Sequence, residues 1–505
     1  MTGFWLPAFV LLPLAAASVA VLVRHDVVER WLMLAVPAAV AGGGAWLVGT
    51  HADQAVVAHH VGGFVPGIAI PFVSDTLTAL MLTVTGLTTL VAAAFLVRTG
   101  EDRYRFVPAL VLMLVAGVNG ALLTGDLFNL FVFVEVMLLP SYALIAVTGT
   151  WRRLGIGRMF VVVNLLVSTI LLIGVGMVYA TAGTVNLAAL TTVAPDEPWV
   201  RLAAALVVLA LAFKAGVAPA HGWLVRAYPA TSAGVMALFS AVHSKVALYA
   251  IYRIYAVVFD GESSWLPLLV AVVALTVLVG AWSSLGEQIA RRFLAFQMVG
   301  GVGHILVGVV LFTQASLAAG VFYMLHHIVT MGSLLLTVGA VEQTYGSGRY
   351  DRISGLMRRD PLVAWVLALG LLSLVGLPPS SGFVGKVTLV LAAAASEAGW
   401  LAWVLIAAIL LAAVWTLFAA QRAWIGLCWG PPMEHYRPDS PRTGRARRTV
   451  LPEDVRIPGS MLAPGAVLLA VSLTLFLAAG PVGRLVDRAA GDLMDVGPYV
   501  QAVLG

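Results

Sequence analysis

The chain has 505 residues, of which 61% are hydrophobic and only 10% charged, against roughly 25% charged in a soluble domain. The formal net charge is +5. These figures exclude a soluble globular enzyme, carry no nucleic-acid footprint, and describe a protein that lives in a lipid bilayer.

A membrane-spanning helix requires about 20 largely apolar residues. In chain order, the apolar runs between charged or Pro/Gly breaks predict fourteen spans: 4–23, 31–49, 74–97, 106–123, 127–148, 159–181, 200–224, 230–252, 264–285, 293–313, 317–341, 361–395 (long and interrupted), 399–420 and 461–480. The first ends in AAASVA, which resembles a signal cleavage site. No basic residue precedes its apolar run, so it reads as a retained helix.

The fifth span contains LFNLFVFVEVMLLPSYA (127–143), in which Glu135 is the only charged residue. Lys214 falls in the seventh span, Lys245 in the eighth and Lys386 in the twelfth, and these are the only lysines. An amine at membrane depth can give up its proton, whereas a guanidinium stays charged. Ionisable groups there are costly and usually mark ion or proton pathways.

Arginine supplies the charge between spans. Of 29 basic residues three are lysines, which leaves 26 arginines, and 22 of these follow odd-numbered spans. Arg201, Arg253, Arg484 and Arg488 lie on the other side. The positive-inside rule then places odd loops in the cytoplasm and both termini outside. The Arg/Pro-rich stretch from 430 to 459 reads as a solvated connector.

His243 precedes Lys245 by two residues in SAVHSKVALY, and His326 and His327 form a pair in YMLHHIVTM of the eleventh span. Residues two apart on a helix point about 200° apart, so His243 and Lys245 face different neighbours and can carry a relay across their helix. Imidazole titrates near physiological pH, which favours proton transfer for His243, His326 and His327. His221 and His304 read as neutral core residues. His51, His59 and His60 fit no zinc spacing and read as surface residues. A single cysteine, Cys428, excludes an intramolecular disulfide and any Cys-based zinc or iron–sulfur site. No cofactor and no metal is expected.

GVAPAHGWL (216–224) and GLPPSSGFV (376–384) align without gaps, 160 residues apart. Five spans separate equivalent points, and an odd number reverses orientation. The expectation is an inverted repeat with a broken helix in each half, the arrangement that places ion sites near the midplane of transporters. Backbone groups freed at each break must face protein or water.

DLFNLFVFVEVMLL around Glu135, FKAGVAPAHGWLVRAYPA around Lys214, SAVHSKVALY around Lys245 and GLPPSSGFVGK ending at Lys386 resemble the antiporter-like membrane subunits shared by Mrp-type cation/proton antiporters and respiratory complex I. The likeness runs along nearly the whole chain. Its LFVFVEVMLL and VHSK wording and its length are most similar to the D-type subunits of Mrp antiporters.

The resemblance implies an all-α polytopic fold of about 14 transmembrane helices. Residues 1–100 would hold spans 1 to 3 and an outside loop. Two inverted five-helix repeats would follow, at 101–260 and 261–425, and then a cytoplasmic loop and a final helix at 426–505. It implies a buried Glu135–Lys214 pair gating one half-channel. Lys245 and the histidines, among them His326 or His327, would relay charge laterally, and Lys386 would serve the second half. The partners implied are other subunits of a hetero-oligomeric Na+/H+ antiporter in the cell membrane, together with Na+ and H+.

Two positions depart from the family. Met331 stands where many relatives carry a lysine, which takes one polar group out of the central relay that the resemblance implies. Pro140 replaces a small polar residue, which suggests a kink after Glu135. The alternative function is a proton-pumping membrane subunit of complex I or of a membrane-bound hydrogenase, driven by electron transfer elsewhere. A scaffold carrying relic polar residues is a third reading. Retention of all four charged positions argues against it.

Overall fold

The computed structural model describes residues 2–147, 151–261, 264–431, 433–436 and 449–505. Most of the arginines of the 430–459 connector lie outside the described residues, and with them the expectation that this stretch is solvated.

The first part of the chain forms α1 (Ala8–Val23), α2 (Asp26–Thr50), β1 (Val57–His60), β2 (Pro71–Ser74), α3 (Thr76–Thr99), α4 (Val107–Leu123) and α5 (Leu127–Ala146). Then come α6 (Trp151–Ala182), the short α7 (Leu187–Val193), α8 (Pro198–Ala215), α9 (Gly222–Ala227) and α10 (Ala233–Ile254). The second half contains α11 (Leu266–Ser284), α12 (Ala290–Leu311), α13 (Gln314–Tyr345), α14 (Leu356–Arg359), α15 (Pro361–Val375), α16 (Ser381–Ala394) and α17 (Trp400–Cys428). A two-residue pair, β3 (His435–Tyr436) and β4 (Thr449–Val450), precedes α18 (Gly459–Leu477), α19 (Ala479–Met494) and α20 (Gly497–Leu504).

Among the described residues, twelve helices are long and apolar enough to cross a bilayer. The shorter α4 and the interrupted pair α15–α16 complete the fourteen predicted spans.

Local sequence explains the boundaries. Asp75, Asp126, Asn186, Ser232, Thr313 and Ser380 each accept a hydrogen bond from the first turn of the helix they precede, which satisfies backbone donors that lipid cannot. The seventh and twelfth spans are both broken. Each first piece ends on a glycine with left-handed backbone, Gly216 at φ 85° and Gly376 at φ 88°, a conformation open to glycine at little cost. α5 runs through Pro140 to Ala146 without interruption.

Burial sorts the helices. The spanning windows of α10 and α13 are 100% buried, whereas those of α1, α2 and α18 are 33% buried. An apolar helix covered on all sides belongs to the protein core, and one with an open apolar face meets lipid. His243, Lys245, His326 and His327 therefore all ride on the two innermost helices.

Contacts between loops establish which ends lie together. Tyr350 N–H donates to the Gln288 carbonyl at 3.0 Å and Gly355 N–H to that of Trp429 at 3.0 Å, which joins the connections after the ninth, eleventh and thirteenth spans. At the opposite end Phe72 bridges to Thr124 and Asp126 to Asn186. The His60 ring there reaches the Val503 carbonyl at 2.8 Å. Loops after even-numbered spans and the C-terminal tail thus share one end. Both termini pack at that end against β1, as an even number of crossings requires.

Two expectations are corrected. His51 is not a surface residue: it is 2% exposed, with its ring nitrogens 2.9 Å from Ser74 Oγ and 2.8 Å from the Gln54 carbonyl oxygen. Arg253 is no loop cation either, for it is buried and forms an ion pair with buried Asp75.

Candidate functional site: buried ionisable groups and two helix breaks

At the first break, Lys214 occupies the last turn of α8. Groups freed by the interruption are taken up by protein. Trp223 Nε1 donates to the Phe213 carbonyl at 3.0 Å, and Ala218 N–H donates to Thr276 Oγ1 at 3.1 Å. Lys214 Nζ donates to Ser168 Oγ at 2.8 Å, and the Ser168 hydroxyl donates to Glu135 Oε1. The two expected partners are thus joined through Ser168 of α6. Sequence reasoning missed this serine, although Asn164 and Ser168 sit four residues apart in an apolar span and share one helix face.

His243 lies between both halves of this end of the site. Its ring stacks on Phe239 at 4.4 Å between centroids. Nε2 is 2.8 Å from Ser141 Oγ, and Nδ1 is 3.2 Å from the Tyr228 hydroxyl. Ser141 also donates to the Met137 carbonyl at 2.8 Å. A hydroxyl has one proton, so Nε2–H donates to Ser141 and Nδ1 accepts from Tyr228. The imidazole is held in one tautomer, beside the helix that carries Glu135.

Lys245 is fully buried, and its Nζ donates to Ser244 Oγ at 3.1 Å. His327 is equally buried, and neither ring nitrogen has a protein partner among the described residues. Space for its ring is made by Gly301, where a Cβ would collide with the imidazole. Met331 is wholly buried one turn farther along α13, so the departure from the family sits in the core and adds no polar group there.

At the second break, Lys386 Nζ donates to the carbonyls of Val375 at 2.7 Å and Leu374 at 3.3 Å. These belong to the last turn of α15, where unpaired carbonyls and the helix dipole favour a cation. The broken helix is therefore part of the lysine's binding site. Nearby, His326 Nδ1 lies 2.8 Å from Ser381 Oγ, which lies 2.9 Å from Ser472 Oγ, itself 2.8 Å from Thr330 Oγ1. His304 stacks on Tyr323 at 4.9 Å and its Nδ1 meets the Gly300 carbonyl at 2.7 Å, as its core reading requires.

Among the described residues, Lys214, Lys245 and Lys386 hydrogen-bond only to hydroxyls and carbonyls. Neutral partners stabilise an ammonium without fixing its charge, so each amine can take up or release a proton without breaking a direct salt bridge. Among the described residues there is no group of three or more metal-ligating side chains.

Residues 124–412 match the family described as NADH:quinone oxidoreductase/Mrp antiporter, TM. The chain is 32% identical over 466 residues to the D-type subunit of the Na(+)/H(+) antiporter of Bacillus subtilis (strain 168), covering 91% of this chain and 90% of that one. It is 33% identical over 477 residues to the N-type subunit of the NADH-quinone oxidoreductase of Desulforudis audaxviator (strain MP104C), covering 91% and 93%. Among solved structures, a chain of the Mrp complex from Dietzia sp. DQ12-45-1b superposes with a TM-score of 0.94 and 42% identity, over 99% of both chains. With more than half of its length matched and relatives of this identity over nine-tenths of it, the chain belongs to the NADH:quinone oxidoreductase/Mrp antiporter family of membrane subunits.

Proposed function

We propose that the chain is the proton-carrying D-type subunit of a multi-subunit Na+/H+ antiporter. The observation that carries this reading is that all three lysines lie buried on neutral hydrogen-bond partners, with two of them at helix breaks. Glu135 and Lys214 gate one half-channel, His243, Lys245, His326 and His327 relay charge laterally, and Lys386 serves the second. The two broken helices belong to inverted repeats. The 42% identity to a chain of an Mrp complex favours the antiporter, and the 33% identity to a complex I subunit keeps the redox-driven pump as the second reading. Copurification separates them. The antiporter predicts small hydrophobic partner subunits, and the alternative predicts iron–sulfur and flavin subunits.

This reading puts the protein in the plasma membrane with both termini outside, on the strength of the 22-to-4 division of arginines. A cysteine introduced at the exposed Glu453, in a Cys428→Ser background, is expected to resist an impermeant thiol reagent on whole cells and to react in everted vesicles. Ready labelling on whole cells would reverse the topology.

A further inference from the structure

Lys245, Tyr249 and Arg253 follow one another at four-residue spacing on α10. They form a column about 12 Å long on one helix face, leading from the bundle interior to the end that carries both termini. All three are buried. Arg253 pairs with Asp75, the N-cap of α3, and its guanidinium lies 5.7 Å from the ring centre of Tyr249 and 5.1 Å from that of Tyr499. The Tyr249 hydroxyl lies 2.7 Å from the Leu122 carbonyl and 2.7 Å from Thr78 Oγ1, which is 2.9 Å from Asp75 Oδ1. Beside them Asp492 of α19, half-buried at the surface, accepts the Thr76 N–H at 3.3 Å. The Thr76 hydroxyl is buried with no protein partner among the described residues.

Each hydroxyl has one proton to give, and the geometry offers more acceptors than protons. In one ordering Tyr249 donates to Leu122 and Thr78 to Tyr249. In the other, Tyr249 donates to Thr78 and Thr78 to Asp75. The same heavy-atom positions serve both, and moving between two such orderings is what a hydrogen-bonded wire does when it passes a charge. An ion pair that merely pinned the C-terminal helices to the bundle would need neither hydroxyl.

We propose that this column is a proton port linking Lys245 to the aqueous phase at the termini-bearing end. Turning from Ser244 Oγ, its partner in the structure, toward Tyr249 one turn away, the Lys245 ammonium gives a proton to the Tyr249 oxygen, Tyr249 gives its own to Thr78, and Thr78 gives its own to Asp75 Oδ1. The lysine becomes a neutral amine, Asp75 a neutral acid, and both hydroxyls are regenerated. Arg253 cannot release a proton; it holds Asp75 ready as an acceptor, and its grip weakens once Asp75 is neutral. Asp75 then releases the proton by way of water to Asp492, beside it at the surface, and is ionised again, and Asp492 gives the proton to the aqueous phase. The port rests on the reading of Lys245 as a proton carrier, and it assigns that carrier an exit of its own.

The test uses the whole antiporter complex in everted vesicles. Tyr249→Phe keeps the ring over Arg253 and removes only the hydroxyl. Sodium-dependent exchange is expected to fall about a hundredfold, the low end of what a removed proton-transfer group costs, and the slowing in D2O is expected to grow beyond that of the unmodified complex. Thr78→Val is read in the same way if Tyr249→Phe does not assemble. Tyr252→Phe removes a hydroxyl from the same helix that donates to the Ile305 carbonyl, off the column, and is expected to leave exchange unchanged. Normal exchange in assembled Tyr249→Phe and Thr78→Val, beside inactive Lys245→Met, would overturn the port and leave the relay reading standing. Normal exchange in Lys245→Met would overturn both.

Discussion

Replacing Lys386 by methionine is expected to reduce sodium-dependent proton exchange to background while the complex still assembles. The amine caps the end of α15 through the Leu374 and Val375 carbonyls, and methionine fills the same volume without donors. An uncapped buried acceptor costs roughly 1–3 kcal/mol, a small loss against the packing of a span that size. Lys386→Arg separates the two jobs of the residue. A guanidinium can donate to both carbonyls and supply a fixed positive charge to the helix end, so it should recover whatever stability methionine lost. It cannot release its proton, so exchange should stay at background. An arginine variant that exchanges normally would make Lys386 a fixed charge, and its role as the proton carrier of the second half-channel would be wrong.

Part of this site is legible in the sequence, for physical reasons that also explain what is hidden. A charged side chain inside an apolar run stands out because lipid tolerates so few, which is why Glu135, Lys214, Lys245 and Lys386 can be named from the sequence alone. The two breaks are visible because Pro and Gly recur at matching positions, and both do interrupt their helices. Hydroxyls leave no such mark. Ser141, Ser168, Ser381 and Ser472 sit comfortably in apolar helices, where a hydroxyl can return its proton to a carbonyl one turn back, as Ser141 does to Met137. Only the packing of one helix on another makes them links in a chain. Arg253 is misjudged for a related reason. Its position at the end of a span is where a loop cation belongs, and its burial depends on Asp75, 178 residues away in sequence. The C-terminal helices α19 and α20 that close over that pair are too short or too polar to register as spans.

Glu135→Gln is the sharper test of the first half-channel, and the structure changes what it measures. Ser168 stands between the carboxylate and Lys214, donating to one and accepting from the other. Glutamine keeps an oxygen for that hydroxyl to donate to, so the hydrogen bonds and the packing survive while the negative charge disappears. Breaking a buried ion pair can cost about 3–5 kcal/mol when a charge is stranded. Here an amine bonded only to a hydroxyl has another course open, which is to give up its proton. Expression and assembly are therefore expected to hold, and sodium-dependent exchange to be lost, because the lysine no longer has a partner whose protonation can switch it. Glu135→Asp should keep some activity where a water spans the missing methylene. Ser168→Ala leaves both charges and removes the bridge between them. A hydrogen bond to a charged group is worth about 1.5–3 kcal/mol, and water entering the gap restores part of it, so the expected loss is about tenfold. The measurement is cation-induced dequenching of a pH-gradient dye in everted vesicles, with subunit levels followed by immunoblot. Normal exchange in Glu135→Gln at normal protein levels would make the carboxylate structural. Full activity in Ser168→Ala with an inactive Glu135→Gln would mean that the two charges act on each other through the field alone, and that the serine merely fills the space between them.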